Sequence, residues 1–122
     1  MIALTRNQMK ILEDLGLDTR KSASLFQHSG MVVEAQYVDI NDPNYLPRYT
    51  VDDLLSRIPD VLKYKGEGMR LSIERMGKRY CVQYVNYDGL PRFYATGEML
   101  LTTLYSFMKL LLEAEAGFDD LW

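Results

Sequence analysis

Apolar residues crowd one long stretch near the end of the chain, from Gly97 to about Ala116. Met99, Leu100, Leu101, Leu104, Tyr105, Phe107, Met108, Leu110, Leu111 and Leu112 recur there at helical spacing. They cover far more than the stripe a surface helix needs. Thr102, Ser106, Lys109 and Glu113 form the one continuous polar line, at the three- and four-residue steps that keep side chains on one side. The pattern predicts a helix covered over most of its circumference, by a sheet and by a second element or subunit. It does not predict a membrane span, because the unbroken apolar runs fall well short of roughly 20 residues.

The chain before it reads as alternating helix starts and strands. Thr5 with Gln8 forms a capping box, and Leu4 can staple to Met9. Met9, Ile11, Leu12 and Leu15 give a helical apolar face. Gly16 is its natural stop, with Leu17 folding back on Leu12. Residues 22–38 read as two short strands around His28-Ser29-Gly30, on the sheet character of Met31-Val32-Val33 and Tyr37-Val38. Asp39 to Arg48 reads as a loop. Thr50 and Asp53, with a Tyr49–Leu54 staple, open a second helix over Val51 to Arg57, before Pro59.

From Met69 to Ala95 the alternation is of strand type. A two-residue turn at Met76-Gly77 is expected to pair Ile73 with Tyr80, Leu71 with Val82 and Met69 with Tyr84, and to set Glu74 opposite Arg79. Asp88-Gly89 is expected to form a second two-residue turn, pairing Tyr84 with Phe93 and placing Pro91 on an edge strand. Thr96 is the expected cap of the long helix and Gly117 its stop, with Phe118 packed on Leu112. The fold class that follows is α+β, in one domain spanning 1–122. Antiparallel hairpins, a three-stranded sheet plus an N-terminal hairpin, pack against the long C-terminal helix and shorter N-terminal helices.

Composition narrows the class without naming a chemistry. Among 122 residues, 48% are hydrophobic and 25% charged, which are ordinary globular values. The single Cys81 excludes an internal disulfide and a cysteine-based zinc site. No charged-then-apolar leader opens the chain, so a reducing, cytoplasmic setting is expected. The net charge of −3 argues against a general nucleic-acid binder. Charge is nevertheless uneven: seven basic residues face three acidic ones between Lys63 and Arg92, and one faces five from Thr96 onward.

The opening Leu4-Thr-x-x-Gln8-Met9-x-x-Leu12-x-x-Leu15-Gly16-x-Asp18-Thr19-x-Lys21 resembles the start of short uncharacterised proteins from phage and mobile-element regions of bacterial genomes. There the run continues Lys-Ala-Ser; here it is Lys21-Ser22-Ala23-Ser24. Thr50-x-x-x-Leu54-Leu55-x-x-Ile58-Pro59, a hairpin region and an apolar C-terminal helix extend the likeness. The resemblance implies no activity and no catalytic residue. From Thr50 on, the order helix, three strands, helix is also similar to double-stranded-RNA-binding and antitoxin-type domains, a likeness of topology alone.

Motifs of catalysis are missing. Gly66-Glu67-Gly68 lacks the spacing and the lysine of a phosphate loop, and there is no nucleophile elbow. His28, the sole histidine, stands beside a turn. Asp39, Asn41, Asp42 and Asn44 lack the ordered spacing, central glycine and closing glutamate of a calcium loop, so turn chemistry is expected. Cys81 is placed on the sheet face away from the core as an ordinary packed thiol. Neither metal nor cofactor is expected.

Two candidate interaction sites follow. The outer sheet face carries Arg70, Arg79, Gln83, Arg92 and Tyr94, a set able to hold phosphates and stack a base. The chain closes on Phe118, Asp119, Asp120, Leu121 and Trp122, an acidic pair before an aromatic, which can dock in a basic-rimmed apolar groove. The expected function is that of a small non-enzymatic interaction or adaptor protein. Its expected partner is another protein or a second copy, bound through the C-terminal helix. The alternative is nucleic-acid binding by the basic sheet face; no membrane partner is expected.

Overall fold

A computed structural model describes residues 2–116. The chain is α+β, with three α-helices and two antiparallel sheets among the described residues. Helix α1 spans Arg6–Asp14 and opens on the expected capping box of Thr5 and Gln8. It closes on a Schellman motif: Gly16, at φ 102, donates to the Glu13 carbonyl and Leu17 to that of Leu12. Strands β1 (Leu25–His28) and β2 (Met31–Glu34) meet at a tight turn in which Ser29 and Gly30 both take positive φ. Ala35–Tyr37, expected as strand in part, is a single 3-10 turn.

The expected loop 39–48 hides a third strand. β3 (Leu46–Arg48) pairs with β1, so Pro47 lies on an edge strand opposite Phe26. Arg20 holds the loop before it, its Nη1 donating to the carbonyls of Ile40, Asp42 and Tyr45. The Asp39 and Asp42 carboxylates accept the backbone N–H groups of Asn41 and Asn44, as turn chemistry requires. Helix α2 spans Val51–Arg57, capped by Thr50 and Asp53. The buried Asp53 also accepts from the backbone and hydroxyl of Ser24, tying α2 to the start of β1.

The second sheet has four strands, in order β4-β5-β6-β7. They are β4 (Val61–Tyr64), β5 (Glu67–Met76), β6 (Arg79–Asn86) and β7 (Pro91–Gly97). The added strand β4 departs from the helix, three strands, helix order.

The β5–β6 register differs from the expected one by two residues. Ile73 pairs with Val82, Leu71 with Tyr84 and Arg75 with Tyr80, and the loop is Gly77-Lys78. Gly77, at φ 63, takes the first loop position, where a type II′ turn wants glycine. The expected Met76-Gly77 turn would have required a methionine with positive φ. A shift of two preserves the faces, so Leu71 and Val82 still point to the core side.

The β6–β7 connection is a three-residue loop, Tyr87-Asp88-Gly89, rather than the expected two. It moves the register by one. A bulge at Arg92, where Tyr84 pairs with Phe93 but Val85 with Pro91, moves it back. The expected Tyr84–Phe93 pair is therefore present, reached by two irregularities that cancel.

Helix α3 (Leu100–Glu113) is the centre of the fold. Strands β6 and β7 pack on it from one side, and α1 and α2 from the other. Leu101, Leu104, Phe107, Met108 and Leu111 are buried in one continuous core with Leu4, Leu12, Leu54 and Tyr84. Its polar line faces solvent, with Lys109 and Glu113 4.0 Å apart. Thr96 does not cap it: Thr96 belongs to β7, and the helix begins after Met99 with no side-chain cap. It also ends before Gly117. Glu115, at φ 53, donates to Leu112 and Ala116 donates to Leu111, so a glutamate fills the left-handed position that Gly117 was expected to take.

Candidate nucleic-acid or partner interface

Cross-strand pairing builds the outer face of the four-stranded sheet in rows. Val61, Arg70 and Val85 form one row, Ser72, Gln83 and Tyr94 the next, and Glu74, Cys81 and Thr96 a third. The opposite face carries Val82 and Tyr84, fully buried, with Tyr84 packed on Phe107 at 5.3 Å between ring centroids. The outer rows are open: Val61 is 65% exposed and Tyr94 62%.

Of the expected face residues, Arg70, Arg79, Gln83 and Tyr94 share this side. Arg79 donates to the Thr96 hydroxyl at 3.4 Å. Arg70 has neither a hydrogen bond nor an ion pair among the described residues. Cys81 is on this face too, yet buried, between Glu74 and Thr96.

Arg92 is not with them. The bulge turns it out of the row, and its Nε donates to Glu67 Oε1 at 2.7 Å. Glu67 alternates in phase with Met69 and Leu71, on the core side. Asn86 donates to the same carboxylate at 3.3 Å and accepts the backbone N–H groups of Asp88 and Leu90. The Arg92 guanidinium first, and the Asn86 amide second, hold the Glu67 carboxyl below its usual pKa. This cluster fastens the β6–β7 loop.

At the turn end of the face lies an open hollow of about 320 Å³. Val61, Gly68, Arg70, Val85, Tyr87 and Gly89 line it. The Tyr87 ring lies across Gly68, where an added Cβ would meet it at 3.3 Å. Tyr87 is 94% exposed all the same. Val61, Gly68 and Tyr87 were absent from the expected set. The signal for Val61 and Gly68 was the Lys65-Gly66 turn, with Lys65 at φ 49 and Gly66 at φ 83, which closes the β4–β5 hairpin.

Helix α3 is covered over most of its circumference, as expected, with α1 and α2 as the second element beside the sheet. Of its apolar residues only Leu110 is exposed, with Met99 at its cap, because α1 and α2 cover what the sheet leaves. The expected docking tail, Phe118 to Trp122, lies outside the described residues. His28 is exposed beside its turn, 5.0 Å from the Tyr45 ring. No cluster of three or more His, Cys, Asp or Glu among the described residues is placed to hold a metal, and no described helix is long and apolar enough to cross a membrane.

No family model, curated protein or solved structure matches the chain. The outer face offers apolar contact, phenol rings and unpaired positive charge, which are means of holding a partner.

Proposed function

We propose that this protein is a non-enzymatic binding module, and that its working surface is the outer face of the β4–β7 sheet. The observation that carries this reading is the open row of Val61 and Arg70 beside exposed Tyr87 and Tyr94, with no element packed across it among the described residues. Contiguous exposed apolar groups rimmed by polar ones mark interaction sites. Aromatic and arginine side chains are the favoured anchors of such contacts.

The partner we favour is a protein. Binding of nucleic acid has less support, because Arg92 is engaged by Glu67 and Glu74 sits among the remaining cations of the face. Few phosphates would be neutralised, and that neutralisation supplies most of the affinity in nucleic-acid complexes.

Selection of binding peptides from a random library, using the immobilised full chain, tests the reading. The selected peptides should lose at least ten-fold in affinity for a Tyr87→Ala, Tyr94→Ala double variant of unchanged melting temperature. Peptides that bind the variant as well as the wild type would remove the sheet face as the working surface.

A further inference from the structure

We infer that the hollow at the turn end of the sheet takes a peptide segment in which an aromatic side chain is flanked by carboxylates. This rests on the sheet face being the binding surface, and adds the chemistry of the partner. The floor and walls of the hollow are mostly apolar, from Val61, Met69, Val85 and the Tyr87 ring, with Asn86 and Arg70 as its polar side chains. Its volume of about 320 Å³ is enough for one large side chain rather than for a strand of stacked bases.

Charge decides what flanks that side chain. Arg70 lines the hollow, and Lys63 stands in the neighbouring row, opposite Gly68. Neither has an ion pair among the described residues. The nearest acid on β5, Glu67, is committed to Arg92 and Asn86. A largely apolar hollow beside two cations that make no ion pair among the described residues complements a ring next to carboxylates. Arginine adds the geometry for a bidentate carboxylate contact.

Residues 118–122 of this chain, Phe-Asp-Asp-Leu-Trp, have that composition, and a synthetic peptide of this sequence with both ends blocked is the probe. It is titrated into the isotope-labelled full chain while amide shifts are followed. The expected result is movement of Gly68, Arg70, Val85, Tyr87 and Gly89. Affinity should fall at least ten-fold for the Phe-Asn-Asn-Leu-Trp peptide, and equally for the acidic peptide on an Arg70→Glu variant of unchanged melting temperature. Equal affinity for the acidic and amide peptides, with the shifts still on the sheet, overturns the inference and leaves the sheet face standing. Shifts confined to other elements, or no binding at millimolar peptide, overturn it as well. Displacement of the bound peptide by a short oligothymidylate at moderate salt would assign the hollow to nucleic acid and overturn it too.

Discussion

Tyr64 and Phe93 stand on the two opposite edge strands of the four-stranded sheet, and their rings meet edge-to-face at 5.1 Å between centroids. Two strands lie between them, so side chains this close require the sheet to curl strongly at this end. The Tyr64 hydroxyl also donates to the Ala114 carbonyl at 3.2 Å, fixing the curl to the end of α3. The inner face is thereby concave around the helix and the outer face convex, with no element packed across it among the described residues. Tyr64→Ala should lower stability by about 2 kcal/mol, below the range for a fully buried aromatic because Tyr64 is only half-buried. Tyr64→Phe should cost only about 1 kcal/mol, the worth of one hydrogen bond. Chemical denaturation of the two variants checks the difference.

Gly97 is held to glycine by packing. A Cβ added there would stand 2.5 Å from Thr103 Oγ1, and Thr103 is itself buried with its hydroxyl donating to the Met99 carbonyl. Gly97→Ala should cost about 1–3 kcal/mol by overpacking. Adding Thr103→Ala should recover part of the loss, and a double-mutant cycle measures how much.

Glu115 occupies a left-handed position at the end of α3. Glycine takes that conformation without steric cost, though it loses more entropy on folding. The net expectation for Glu115→Gly is a gain of about 0.5 kcal/mol, from a strain of about 1–2 kcal/mol less the glycine penalty. A rise in melting temperature checks it.

The Glu67–Arg92 pair predicts a pH dependence. The folded carboxyl is held below its usual pKa, chiefly by the Arg92 hydrogen bond. Its contribution to stability is therefore present above the ordinary unfolded-state value and is lost as pH falls through the lowered folded value. A carboxyl-carbon NMR titration should place the Glu67 midpoint below the usual range, and Arg92→Ala should return it part of the way, since the Asn86 hydrogen bond remains. Arg70→Glu, away from this pair, should change stability by no more than about 0.5 kcal/mol.

Local chemistry was legible where a few neighbouring residues decide the outcome. Both capping boxes and the Gly16 stop needed only Thr5 with Gln8, Thr50 with Asp53, and one glycine. The alternation of β5 and β6 gave the correct faces, because burial repeats every two residues. It could not give the register, since a shift of two leaves every face unchanged; only the conformation required of Gly77 decides it. β3 and β4 escaped because three or four residues show too little alternation, and Pro47 reads as loop unless its partner Phe26 is known. The candidate site was half legible. Arg70, Gln83 and Tyr94 follow from alternation, whereas Arg92 is displaced by a bulge that only the longer Tyr87-Asp88-Gly89 loop explains. The breadth of the apolar face on α3 was read correctly, but its cover comes from α1 and α2 of the same chain.

The most direct measurement is amide-shift mapping of the isotope-labelled full chain with the tightest peptide selected from a random library. The account predicts shifts along the convex rows, at Val61, Arg70, Gln83 and Tyr94, with Ser106 and Leu110 of α3 unmoved. Shifts concentrated on α3 or on the β1–β2 hairpin, with the four-stranded sheet silent, would contradict it.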